Sequence, residues 1–301
     1  MEQSQKMEQV QKRKVEILVL SDIHLGTVGC HAKELLYYLK SIKPQTVILN
    51  GDIIDIWNFN KRYWPKSHMK VVKHLMGWMG KDIKMYYITG NHDEMLRRFV
   101  GFEMGGMEIV NKVILELEGN KKAWFFHGDV FDVTMQYSKW LAKLGGVGYD
   151  LLILINRFVN FISEKVFNKG KISLSKKVKN GVKGAVKFIN KFEEVAAEIG
   201  INNGYDYVVC GHIHHPEIRE ISDAKGSIIY MNSGDWIENL TALEYNAGEW
   251  KIHHFDVEAY KNAKKTEKEE EELNNNQLFD NLVQEFNMMK SDEESNEKSE
   301  K

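Results

Sequence analysis

Val15-Glu16-Ile17-Leu18-Val19-Leu20-Ser21-Asp22-Ile23-His24 is the stretch that decides the fold. A short run that is apolar on both faces reads as a fully buried strand. It ends in a carboxylate and an imidazole two residues apart. Residues at i and i+2 of an extended chain point the same way, so Asp22 and His24 can reach one ion together. The pattern then recurs down the chain. Residues 46–49 lead into Gly51-Asp52-Ile53-Ile54-Asp55, and residues 84–88 into Gly90-Asn91-His92-Asp93. Residues 123–126 lead into His127-Gly128-Asp129, and residues 207–210 into Gly211-His212-Ile213-His214.

Between the first runs, residues 32–41 and 69–79 carry helical periodicity. Strands alternating with helices predict an α/β fold with parallel strands. Residues 227–231, 241–245 and 250–255 look like antiparallel strands joined by short turns. In open α/β sheets ligands gather beyond the carboxyl ends of the strands, where all five polar segments fall.

The 301 residues leave room for one large domain or two small ones. A net charge of -2 conceals a basic middle and an acidic C-terminus. Cys30 and Cys210 fit no zinc or disulfide spacing, which points to a reducing compartment. Residues 1–14 are polar, with no apolar core of a secretory signal. Residues 151–162 are the most apolar stretch, but Asn156, Arg157 and Asn160 interrupt it. It is too short and too polar to span a bilayer. The expected location is therefore cytoplasmic, with peripheral contact to the inner membrane face as an option. No nucleic-acid partner is expected, and the oligomeric state is left open.

The domain layout expected is a flexible 1–13, a catalytic domain over 14–258, and a disordered acidic tail over 259–301. Residues 133–203 interrupt the domain with helical pattern and no convincing strand. Val178, Val182, Ala185, Ile189, Phe192, Ala196 and Ile199 share one helix face. Lys179, Lys183, Lys187 and Lys191 share another. From Lys139 to Lys191, twelve Lys and Arg stand against two Asp and Glu, a net +10. This segment is read as a basic helical lid over the site. Its lysines either meet an anionic partner, such as pyrophosphate or a membrane surface, or form a solvated face.

Asp22, His24, Asp52, Asn91, His127, His212 and His214 mix oxygen and nitrogen donors. Such a set suits transition metals better than calcium. Two divalent ions about 3.5–4 Å apart would share an activated hydroxide and clamp a phosphoryl group for in-line attack. Mn stands first, with Fe, Zn, Co or Mg as alternatives.

The series D-x-H, G-D-x-x-D, G-N-H-D, H-G-D and G-H-x-H resembles the calcineurin-like metallophosphoesterase superfamily, with all five motifs in family order. The resemblance implies a four-layer αββα sandwich, two mixed β-sheets flanked by helices, with a helical insertion. It implies one ion on Asp22, His24, Asp52 and His214 and the other on Asp52, Asn91, His127 and His212. His92 would meet the leaving oxygen or the transition-state charge, with Asp93 or Asp55 orienting it. The runs Gly51-Asp52-Ile53-Ile54-Asp55-Ile56-Trp57, Gly211-His212-Ile213-His214-His215-Pro216 and Asn232-Ser233-Gly234-Asp235-Trp236 are similar to the UDP-2,3-diacylglucosamine diphosphatase branch. That likeness implies cleavage of a lipid-linked pyrophosphate to UMP and 2,3-diacylglucosamine 1-phosphate, a lipid A reaction. The branch carries Arg in G-N-R-D where this chain has His92. Two other functions stay open: a phosphodiesterase or phosphatase acting on a nucleotide or small ester, and an inactive scaffold of the same fold.

Several residues admit two readings. Asp55 and Asp129 either orient ligands or cap a following helix. Arg97, Arg98 and His215 either touch substrate or are solvated. Trp57 and Asn58 either line the pocket or belong to the core. His31, His68, His74, His253 and His254 fit no ligand pattern.

Overall fold

The computed structural model describes residues 12–56, 63–81, 83–131 and 176–266, with side chains omitted over 176–188. Trp57, Asn58, the insertion over 133–175, the side chains of Val178, Lys179, Val182, Lys183, Ala185 and Lys187, and the tail from 267 lie outside the described residues. The chain divides into two compact units, Met1–Phe255 and Asp256–Lys301.

The first unit holds two mixed sheets. β1 (Arg13–Leu20), β2 (Ile42–Asn50), β3 (Lys84–Ile88), β4 (Glu103–Met104) and β5 (Met107–Val110) lie in one, with β11 (Thr241–Asn246) and β12 (Glu249–His254). Their order is β12-β11-β1-β2-β3-β5-β4. The other sheet joins β6 (Val113–Glu116), β7 (Lys122–Phe125), β8 (Tyr207–Cys210), β9 (Glu217–Asp223) and β10 (Gly226–Asn232) in the order β6-β7-β8-β10-β9. β1, β2, β3 and β5 run parallel, as do β7, β8 and β10. Each predicted strand that precedes a polar segment is therefore one of a parallel set, with its carboxyl end at a common edge.

Period-two alternation splits the strands between two cores. Ile17, Val19, Ile48, Tyr86 and Ile88 face Ala123, Phe125, Tyr207, Val209 and Met231 between the sheets. Trp124, Phe126, Val208, Cys210, Ile228 and Tyr230 turn outward instead. There they meet Phe192, Ala196 and Ala197 of α3 (Lys176–Asn202). α1 (Ala32–Ser41) and α2 (Lys66–Met79) pack on each other and serve the larger sheet. Their buried faces are Leu35, Tyr38 and Leu39, and Val71, Leu75 and Trp78. No described helix is long and apolar enough to cross a membrane.

Three features of the described residues bear on the expected layout. Within the expected insertion, residues 192–202 of α3 form the outer layer of the second sheet, and the Glu193 carboxylate pairs with Arg219 on β9. An apolar stripe looks the same whether it covers a sheet or a site. β1 begins at Arg13, inside the supposed flexible segment, because Arg13 pairs with Ile42 and its guanidinium grips the buried Glu244. In the second unit, residues 257–266 are helical rather than tail. Asp256 accepts the Ala259 N–H at 2.8 Å, an N-cap bond that starts this helix.

Candidate metal centre

The five polar segments meet at one edge of the two sheets. Asp22, His24 and His214 bring one donor atom each to within 4.8 Å of one another, and so do Asp52, His127 and His212. A third group, His24, Asp55 and His92, adjoins the first. The larger sheet supplies Asp22, His24, Asp52 and Asn91, and the smaller supplies His127, His212 and His214. Among the described residues, the other histidines join no such group.

The two carboxylates divide their oxygens in the same way. Asp22 Oδ2 accepts the His212 N–H at 3.0 Å, and Oδ1 faces His214 Nε2 at 3.1 Å. Asp52 Oδ1 accepts the His92 N–H at 2.8 Å. Asp52 Oδ2 then lies between His127 Nε2, 3.2 Å away, and His24 Nε2, 3.9 Å away. The far nitrogens of the rings are fixed too. His127 Nδ1 lies 2.9 Å from the Asn50 carbonyl and His24 Nδ1 lies 3.4 Å from Asp55. Such bonds set which nitrogen faces the site.

Backbone conformation shows how tightly this edge is wound. Asp22, His24, Asp52, His212 and His214 all have φ between 50° and 69°. Each such non-glycine residue costs on the order of 1–3 kcal/mol and persists only where its surroundings hold it. Bonds from loop to loop provide the hold: Asp22 N–H to Gly51 O at 3.1 Å, His24 N–H to Asp52 O at 2.9 Å, and Gly211 N–H to His127 O at 3.0 Å. Two glycines are required by close approach. A Cβ at position 90 would come within 2.2 Å of Asp52 Oδ1, and one at 211 within 2.6 Å of Asp22 Oδ2.

Charge in this cluster is mutually stabilised. Burial alone would raise the Asp22 carboxyl, but His214 outweighs it and draws the pKa down to about 2. Burial would lower His214, yet Asp22 lifts it to about 9. Burial likewise opposes charge on Asp52 and His127, and each still holds the other ionised, Asp52 well below and His127 well above the ordinary value. In the metal-free chain each pair therefore favours a charged imidazole facing a carboxylate. Divalent cations replace the protons of such imidazoles on binding. Asn91 Oδ1 is buried without a hydrogen-bond partner among the described residues, an acceptor that a cation would satisfy. The residues present fit two such ions.

The two carboxylates offered as partners of His92 separate clearly. Asp55 Oδ2 lies 3.1 Å from His92 Nδ1 and also contacts His24. Asp93, offered with Asp55 as a partner of His92, points away from the site. It is wholly buried and accepts from Gly90 N–H at 2.6 Å, Ile53 N–H at 3.0 Å and the Tyr87 hydroxyl at 2.6 Å. It braces two loops from beneath, because the turn after His92 carries its side chain inward. Asp93→Ala is expected to cost about 1–3 kcal/mol of unfolding free energy by leaving those donors unpaired. Urea denaturation of the metal-free chain measures this, and a loss below about 0.5 kcal/mol, the scale of an ordinary surface change, would rule the brace out.

The remaining candidates lie around the rim. Arg97 forms an ion pair with Asp129, tying the turn after His92 to the turn after His127. Arg98 is exposed. His215 is exposed and lies 3.4 Å from Glu217. Sequence reasoning missed Tyr87 beneath Asp93. It also gave no task to Asn239, whose amide reaches the His214 carbonyl at 2.9 Å.

A paired cluster of carboxylates and imidazoles at the strand ends of a two-sheet α/β sandwich defines a metal-dependent phosphoester hydrolase. The chain belongs to the calcineurin-like phosphoesterase family, whose model matches residues 15–216. It is similar to the UDP-2,3-diacylglucosamine hydrolase of Blochmanniella pennsylvanica, 24% identical over 240 residues, covering 77% of this chain and 92% of that protein. The enzyme of the same name from Aliivibrio fischeri is 22% identical over 242 residues, covering 79% and 97%. Among solved structures, a dimetal phosphatase from Danio rerio aligns with TM-score 0.39 and 12% identity, covering 79% of this chain and 95% of that one.

Proposed function

We propose that this chain hydrolyses a lipid-linked pyrophosphate, UDP-2,3-diacylglucosamine, to UMP and 2,3-diacylglucosamine 1-phosphate. The observation that carries the hydrolytic reading is Asp52 Oδ2, set between His24 Nε2 and His127 Nε2. In this reading Asp22, His24, Asp52 and His214 hold one divalent ion, and Asp52, Asn91, His127 and His212 the other, with Mn first in order. Bound there, the two ions would supply Lewis acidity toward a phosphoryl oxygen and lower the pKa of a nearby water.

The protein groups perform the rest. Asp52 holds the two halves of the site at a fixed spacing. His92 is partly exposed beside this cluster, with Asp55 on its Nδ1. In this reading its ring meets the leaving oxygen. Support for the lipid nucleotide comes from the names of the relatives and from the basic segment before residue 192. His92 stands where the diphosphatases resembled carry Arg, and this favours a second reading, a different phosphodiester substrate, because His and Arg meet phosphate differently.

The test compares turnover of UDP-2,3-diacylglucosamine, its short-chain analogue and an aryl phosphodiester, each with Mn and with a chelator. The expected result is loss of all three activities on chelation, recovery with Mn, and a lipid substrate favoured at least about tenfold, roughly 1.4 kcal/mol. Equal rates on the long- and short-chain substrates would remove the lipid reading. Activity surviving full metal removal would remove the metal mechanism.

A further inference from the structure

Residues 232–239 form a splint along the site. Asn232 Nδ2 donates to the Gly211 carbonyl at 2.8 Å, immediately before His212. The Trp236 N–H donates to the Asp22 carbonyl at 3.1 Å. Asn239 Nδ2 donates to the His214 carbonyl at 2.9 Å. Asp22 and His214 are the facing pair of one donor group, and both have left-handed backbone, φ 50° and 51°. A single short segment thus fastens the carbonyls of both strained residues.

The splint is itself made rigid. The buried Asp235 accepts the N–H groups of Ile237 at 2.7 Å and Glu238 at 2.5 Å through Oδ1. Its other oxygen takes the second amide hydrogen of Asn239. Both Asn239 donors are therefore used, one on Asp235 and one on His214. Ser21, next to Asp22, contributes a further tie through its hydroxyl to the Gly234 carbonyl at 2.9 Å. Asn239 is exposed, so its amide is not needed to fill the core.

We infer that Asn239 is a positioning residue for metal uptake, holding His214 in the strained conformation that aims its ring at Asp22. This rests on the reading of Asp22, His24 and His214 as ligands. Removal of the amide lets the peptide after His214 relax, so the ring samples orientations that no longer converge with Asp22 Oδ1. The effect should fall on one ion of the pair, since His127 and His212 are held by other bonds.

Titration of the metal-free full chain with Mn, read by calorimetry and by metal content after gel filtration, tests this. Wild type is expected to take up two ions. Asn239→Ala should weaken one binding step by about 10–100-fold, the usual loss when a group supporting a ligand is removed. The other step should stay unchanged, and the metal-free chain should stay folded with only the small loss of melting temperature that the missing bond to Asp235 brings. Asn239→Asp should weaken the same step at least as much as Ala, because a carboxylate cannot donate to the His214 carbonyl and is repelled by Asp235. Glu238→Ala, on the exposed neighbour, should leave both steps as they are. Excess Mn should restore kcat in Asn239→Ala. Equal affinities in wild type and Asn239→Ala overturn the inference alone. So does a loss of affinity that merely follows a loss of stability in the metal-free chain. A wild type that takes up fewer than two ions overturns the ligand reading and the inference with it.

Discussion

Asp52→Ala is expected to lower kcat by at least about a thousandfold, roughly 4 kcal/mol of transition-state stabilisation. The size follows from two tasks carried by one side chain. Oδ2 faces imidazoles on both sides, so its loss breaks the proposed link between the ions. Oδ1 holds the His92 N–H, so the same change also frees the loop that carries His92. Removing the buried carboxylate further leaves His127 and His24 without the charge they face. Steady-state kinetics with saturating Mn, together with metal content, measures the outcome. A variant within tenfold of wild type and still carrying two ions would show that Asp52 does not bridge.

His92→Ala is expected to lower kcat by about 10²–10⁴-fold, the range for loss of a positioned acid or electrostatic partner, with both ions retained. His92 is no member of the proposed ligand set; its ring faces Asp55 and the edge of His24, with His24 and His92 ring centroids 4.6 Å apart. Burial lowers its pKa, but Asp55 and Asp52 together bring it above the ordinary value in the metal-free chain. A substrate with a better leaving group separates the two roles for His92. If His92 protonates the leaving oxygen, the defect shrinks with such a substrate. If it steadies charge on the phosphoryl group, the defect stays. Loss of metal in proportion to activity would instead make His92 a structural member of the site.

What the sequence disclosed depended on burial. Parallel strands covered on both faces are continuous apolar runs, so β1, β2, β3, β7 and β8 stood out with their polar endings. β9 did not, because Glu217, Arg219 and Glu220 interrupt an edge strand that is half exposed. β6 was hidden for the same reason, with every second residue exposed. The choice between Asp55 and Asp93 as partner of His92 lay beyond spacing, since both carboxylates are near in sequence and only the turn geometry sends one inward. The splint was invisible for a simpler reason. An amide bonded to a carbonyl 25 residues away leaves no periodicity and no composition bias.

The seven residues proposed as ligands come from two sheets that share a core but no strand. Neither sheet alone carries more than part of the set. The site therefore works as an alignment gauge for the molecule: it is complete only when two independently hydrogen-bonded surfaces have slid into one register. Changes in Phe125, Val209 or Met231, buried between the sheets, reach catalysis by shifting one half of the gauge against the other. In this architecture the quality of the apolar packing is read out as chemistry at the strand ends.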